Sequence, residues 1–211
     1  MGFDHKQDAL QKEETNRRIL DAGFSMFSKM SIDKVSMENV ADEAGIGIAT
    51  LYRYYRTKSE LVVAVGTHVW SNFIRDYMPI RNEDNTTAAE ELEFFLDSFL
   101  ELYKNHKKLL CFNQFFNIYE MKQFSKTALN SYNEMVDQLA MRFHKTYVKG
   151  KNDKTLCTEV SENSMFLSIM HLMLAAITRY AVGLAYEKDI ESDNELVLLK
   201  NMLMHEFSRK K

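Results

Sequence analysis

One proline, Pro79, and seven glycines are spread through 211 residues. Proline removes a backbone donor and glycine costs backbone entropy, so both punctuate regular structure. A chain with so few of either is free to build long helices and poorly supplied with the turns that many short strands require. Its apolar residues agree, because they recur at three- and four-residue steps. Ile19, Ala22, Gly23, Met26, Phe27 and Met30 form one such stripe and predict a helix over about residues 11–30. Period-2 alternation and internal repeats are absent from the sequence. The expected fold class is all-α, with about nine helices.

Boundaries follow from local chemistry. Ser31, Ile32 and Asp33 end the first helix. Ser36 is a good N-cap for a short second helix, whose inner face carries Met37, Val40, Ala41 and Ala44 and which Gly45 stops. A third short helix follows over about residues 48–55, separated from the second by Gly45, Ile46 and Gly47 alone. Two short helices joined by a glycine-containing turn are a helix-turn-helix. Thr57 with Glu60, and Thr87 with Glu90, are capping boxes that start two further helices. Residues 81–85 read as a polar turn and residues 148–155, VKGKNDKT, as a charged loop. The helix over 160–186 is apolar almost all round, which predicts cover on more than one side, and a last helix starts near Asp193. A boundary of function, though not of packing, is expected at 57/58, between a helix-turn-helix head over 1–57 and a larger helical part over 58–211.

The net charge of −3 argues against a nucleic-acid partner unless basic groups are concentrated locally. They are: residues 45–59 carry three cations and no acid. The second helix of a helix-turn-helix must be anchored, must approach the bases, and must have neighbours that grip phosphate. Ile46, Leu51 and Tyr55 suit the anchors. Gly47, Ala49 and Thr50 leave room at the base edges, and the apolar Ile48 and Ala49 offer thymine-methyl contacts rather than hydrogen bonds. Sequence preference is then expected partly from DNA shape. Tyr52, Arg53, Tyr54, Arg56 and Lys58 are donors for phosphate, with Arg53 the best candidate for guanine. Lys58 lies in the first turn of the fourth helix, where free N–H groups favour an anion, and Ser36 is a second candidate clamp.

The segment from about residue 16 to residue 61 resembles the TetR family of ligand-responsive transcriptional regulators. The resemblance is carried by ILDAGFSMF, VSMENVADEAGI and TLYRYYRTKSEL. Four positions depart from the family's habit. Ser31 stands where glycine is usual, which predicts a tighter turn; Gly47 replaces a common Ser, Ile48 a polar residue, and Ala49 a Gly. The resemblance implies a repressor that reads double-stranded DNA as a dimer, with recognition helices about 34–36 Å apart on a palindromic operator. The last two helices are the expected homodimer contact. It also implies a pocket for a small apolar or amphipathic effector. Trp70, Phe73, Phe99, Phe112, Phe116, Asn117, Tyr119 and His171 are its expected residues, with Asn113 and Glu120 as further polar candidates. Effector binding would favour a state in which the fourth helix is displaced and the heads no longer match the half-sites.

Other classes fit less well. The six histidines and two cysteines show no metal-ligand spacing, and no phosphate loop or nucleophile elbow occurs, so no enzyme, metal or cofactor is expected. A helical small-molecule carrier without DNA binding is the alternative, and it has no use for the acid-free Arg/Tyr/Lys stretch. The polar amino terminus lacks an apolar core typical of a secretory signal, and the longest uncharged run, 163–178, is short for a membrane span. A cytoplasmic protein with no membrane partner is expected.

Overall fold

The computed structural model describes residues 2–78, 85–124, 129–184 and 192–209. Pro79, most of the turn at 81–85 and the end of the helix expected over 160–186 lie outside them. The side chain of Glu120 lies outside them as well. Among the described residues the chain forms nine α-helices: α1 Gly2–Phe27, α2 Met37–Ala44, α3 Ile48–Tyr54, α4 Lys58–Tyr77, α5 Ala88–Asn105, α6 Lys107–Gln123, α7 Asn130–Asp153, α8 Glu162–Ala181 and α9 Ser192–Phe207. A 3₁₀ turn over Ile32–Lys34 links α1 to α2. The extended pairing among these residues is a single antiparallel bridge, Leu156 with Ser208.

Two helices run further than periodicity predicts. Helix α1 begins at Gly2 rather than near residue 11. Residues 7–14 are exposed, so no apolar stripe announced that stretch. Helix α7 runs on to Asp153 through most of the expected charged loop. Within this stretch Gly150 lets Leu156 pack close against the helix, because a Cβ there would lie 2.6 Å from Leu156 Cδ1. The helix ends at Lys154, which takes φ 60°. Ser31 does not tighten its turn: at φ −50°, ψ 131° it occupies ordinary extended backbone, where glycine offers no advantage.

The described chain divides into two compact units, Met1–Ser71 with Phe112–Asn133, and Asn72–Cys111 with Glu134–Lys211. The functional boundary expected at 57/58 therefore falls inside a packing unit. In the first unit, Ile19 and Phe27 of α1, Val40 and Ala41 of α2, Leu51 of α3 and Leu61, Val62 and Val65 of α4 share one buried core. Helix α4 is tightly held there. A Cβ on Gly23 of α1 would lie 2.8 Å from Val65 Cγ2, and a Cβ on Gly66 would lie 3.1 Å from Phe116 Cε2 of α6.

In the second unit, α5 packs with α8 and α9. Its N-terminus is closed by the Thr87/Glu90 capping box, by Asp153 Oδ2 accepting from Ala88 N–H at 2.7 Å, and by Thr155 Oγ1 accepting from Ala89 N–H at 3.1 Å. Burial pushes the Asp153 carboxyl up, but hydrogen bonds from Ala88 and Thr155 outweigh it and hold the group below the usual carboxylate range. Arg142 Nη1 donates to the carbonyls of Ile74 and Met78 at the end of α4. Helix α8 is long and apolar enough, by composition, to cross a membrane. Its Met165, Ile169, Met173 and Ile177 lie in the unit's core, whereas the opposite side is exposed at Leu167 and Leu172. Among the described residues, cover on that second side is not supplied. Val197, Leu198 and Met202 of α9 are exposed too.

Candidate nucleic-acid interface

The helix-turn-helix is built from local rules. The Ser36 hydroxyl accepts from Asn39 N–H at 3.1 Å while Asn39 Oδ1 accepts from Ser36 N–H at 3.0 Å, so α2 starts on a reciprocal cap. Gly45 ends it at φ 64°, ψ 41°, a left-handed conformation that side chains resist. Arg18 of α1 fastens this turn: its Nη2 donates to Ala44 O at 2.5 Å and to Gly45 O at 3.1 Å. Gly47 opens α3 from extended backbone at φ −69°, ψ 145°, with open space where a side chain would stand.

Leu51 is fully buried and fixes which side of α3 faces outward. Tyr55 supports it: its hydroxyl donates to Asn16 Oδ1 at 2.7 Å, and burial raises its phenol pKa against the opposing effect of that bond. Ile46 is half-buried. The outward side then carries Gly47, Ala49, Tyr52 and Arg53 exposed, with Ile48, Thr50 and Tyr54 half-exposed. Arg53 Nη2 donates to Thr50 Oγ1 at 3.2 Å, one helical turn back, which extends the guanidinium along the helix surface. The Tyr54 hydroxyl donates to the Lys12 carbonyl at 3.2 Å, so this ring braces α3 against α1.

Past α3, the Thr57 hydroxyl caps α4 by accepting from Glu60 N–H at 3.1 Å. The return half of the expected capping box is displaced by one residue: Glu60 Oε2 accepts from Arg56 N–H at 2.8 Å. Lys58 is half-buried in the first turn, and its Nζ donates to Asp33 O at 3.2 Å. Burial lowers the Lys58 pKa, and the Asp33 carboxylate partly offsets this. The segment from Gly45 to Ser59 contains no acid and holds Arg53 and Arg56 exposed. Such a face offers cationic and phenolic donors to an anion and two small residues that let a flat base edge approach.

Three features escaped sequence reasoning. Arg18 staples the turn from 26 residues away. Lys12 receives Tyr54 from a separation of 42 residues. A cleft of about 660 Å³ opens between α1 and α3, lined by Asp8, Gln11, Lys12, Thr15, Thr50, Arg53 and Tyr54. None leaves a local signal, since each depends on how α1 lies against the turn.

The residues expected to meet an effector divide between the two units. In the first, Trp70, Phe112, Phe116 and Tyr119 are buried and Asn117 is exposed; Asn113 is a buried polar group. In the second, Phe73 and Phe99 are buried, whereas His171 is exposed on the side of α8 that carries Leu172. Phe73 stacks on Tyr77 at 5.1 Å between ring centroids, and both meet the His106 ring edge-on. Among the described residues no cluster of three or more metal-ligating side chains occurs.

Residues 19–65 match a family described as bacterial regulatory proteins, tetR family. The HTH-type transcriptional regulator SAR2658 of Staphylococcus aureus strain MRSA252 is 32% identical over 98 residues, which span 46% of this chain and 52% of that protein. The chain thus aligns with about half the length of that relative. A second relative, the HTH-type transcriptional regulator SAS2464 of S. aureus strain MSSA476, is 27% identical over 86% of this chain and 97% of its own. In fold, the chain is similar to a TetR transcription regulator from Haloarcula marismortui, with a TM-score of 0.75 and 16% identity over 93% of this chain and all of that one.

Proposed function

Through residues 19–65 this chain belongs to the tetR family of bacterial regulatory proteins, and we propose that it is a DNA-binding transcriptional regulator, a repressor released from a palindromic operator by a small apolar or amphipathic ligand. The observation that carries this reading is the outward side of α3. Leu51 anchors the helix from behind, and Ala49, Tyr52 and Arg53 stand exposed on a stretch without acids. Arg53 is assigned to guanine, Ile48 and Ala49 to thymine methyls, and Ser36, Tyr52 and Lys58 to phosphate; Tyr54 reaches phosphate by giving up its bond to the Lys12 carbonyl. Residues 1–57 read DNA, and residues 58–211 bind the effector and the second copy. Within the second unit, Phe73 and Phe99 are assigned to the effector's apolar part. It is a regulator and not an enzyme, and its place of action is the cytoplasm.

The dimer contact is assigned to α8 and α9. Leu172, Leu198 and Met202 are 48%, 60% and 61% exposed, an apolar cost that a second copy would remove. Pairing fixes the spacing of the two heads, and the effector acts by preferring a state in which that spacing fails the half-sites. It can shift the equilibrium only by its difference in affinity for the two states.

The alternative, a helical carrier that ignores DNA, is separated by one pair of variants. Arg53→Ala and Lys58→Ala, each checked for folding by circular dichroism, are titrated with a labelled duplex in dilute buffer. The regulator predicts that Arg53→Ala loses about 1–3 kcal/mol and relaxes preference at one base, while Lys58→Ala weakens all duplexes alike. Unchanged binding in both would leave the carrier.

A further inference from the structure

Tyr119 lies in α6, 61 residues beyond Lys58, yet the two meet inside the first unit. The Lys58 ammonium stands 5.8 Å from the centroid of the Tyr119 ring. The Tyr119 hydroxyl is 3.5 Å from Ser59 Oγ, on the next residue of α4. Tyr119 is only 6% exposed, so its ring is held rather than mobile at the surface. It is held from behind by other rings. Phe124 meets it edge-on at 5.3 Å, Phe116 lies 5.6 Å from Phe124, and Tyr132 lies 4.9 Å from Phe116. Phe116 in turn presses on Gly66, where α4 has no side chain to keep it off. The aromatic stack therefore ends under the first turn of α4. On the other side the Asp33 carbonyl takes one Lys58 N–H at 3.2 Å.

A flexible lysine normally gains little from a phosphate, because fixing its four-carbon stem costs rotamer entropy. Here that cost is met before DNA arrives. The ring face attracts the cation, the carbonyl orients it, and both sit at a helix N-terminus whose open N–H groups suit the same anion. We propose that Tyr119 is a positioning residue for Lys58, and that the α6 aromatic stack thereby sets how strongly the head grips the DNA backbone rather than which bases it prefers. This rests on the DNA-binding reading above. It also gives Tyr119 a role other than effector contact. The lowered pKa that burial gives Lys58 agrees with an ammonium partly withdrawn from water.

The test is a double-mutant cycle in the full chain, using wild type, Lys58→Ala, Tyr119→Leu and the double variant, each titrated with one duplex across a salt series. Tyr119→Leu should weaken binding about three- to tenfold for every duplex tried and lower the salt slope by up to about one, as Lys58→Ala does. The double variant should bind no worse than Lys58→Ala. Tyr119→Phe, which keeps the ring, should recover most of the loss. Losses that multiply in the double variant, or an unchanged salt slope in Tyr119→Leu, overturn the inference while leaving DNA binding intact. Full binding by Lys58→Ala removes the clamp itself and the inference with it. Should Tyr119→Leu fail to fold, nuclear magnetic resonance of the wild type decides: the Lys58 ε-methylene protons should be shifted upfield by the ring, and random-coil values overturn the contact.

Discussion

Gly45 is the point at which sequence, backbone and interface meet, and Gly45→Ala tests whether the turn is as constrained as its geometry implies. The residue sits at φ 64°, ψ 41°. An L side chain in that region costs about 1–2 kcal/mol. The new Cβ would also stand 2.9 Å from Arg18 Nη2. That nitrogen cannot stay, and its bonds to the carbonyls of Ala44 and Gly45 are disturbed, at a further cost of about 0.5–1.5 kcal/mol. The sum is roughly 1.5–3.5 kcal/mol, or about 3–14 °C in melting temperature for a chain of this size. Thermal melting by circular dichroism reads it directly. Two controls separate the terms. Gly45→Asn relieves the backbone strain but keeps the crowding, so it should lose less than Gly45→Ala. In an Arg18→Ala background the crowding is gone, so Gly45→Ala should cost about 1–2 kcal/mol alone, the two losses falling short of additive. A Gly45→Ala protein melting within about 1 °C of wild type would refute the argument, as would full additivity with Arg18→Ala.

Further outcomes follow from other contacts. Gly23→Ala places a Cβ 2.8 Å from Val65 Cγ2 in the core of the first unit and should lower stability by about 1–3 kcal/mol in urea titration. Asp153→Ala frees the N–H of Ala88 and should cost about 1 kcal/mol. Because the folded Asp153 pKa lies below its unfolded value, that contribution is complete above about pH 4 and is lost as pH falls through the depressed value. The stability gap between wild type and Asp153→Ala should therefore close in acid. Leu198→Glu with Met202→Glu puts charge on the exposed side of α9 and should convert a dimer to a monomer in sedimentation, with the helical signal retained.

Local chemistry made much of this legible. The existence of the helices followed from three- and four-residue stripes such as Ile19, Ala22, Gly23 and Phe27, and starts and stops followed from Ser36, Gly45 and Thr87, whose capping partners lie within four residues. The outward side of α3 was legible because one apolar residue, Leu51, fixes the helix rotation. What failed lacked a short-range signature. Residues 7–10 are helical but exposed, and the charged end of α7 is helical through a glycine, Gly150, whose missing side chain lets Leu156 pack close. The bracing of the interface by Arg18, Lys12 and Tyr119 spans 26 to 61 residues. Pairings at that range are set by how helices cross. Whether Trp70, Phe73, Phe99, Phe112 and Phe116 meet an effector is not legible either, because ring-rich helices look alike in sequence whether they line a cavity or fill a core.

The central claim is that α3 enters a duplex and that two copies do so together. Selection of bound duplexes from a random pool by the full-length chain measures both at once. The account predicts enrichment of an inverted repeat whose half-sites are one helical turn, or a whole number of turns, apart, and its disappearance with Arg53→Ala. A chain that retains no duplex above background, even at low ionic strength, would contradict it.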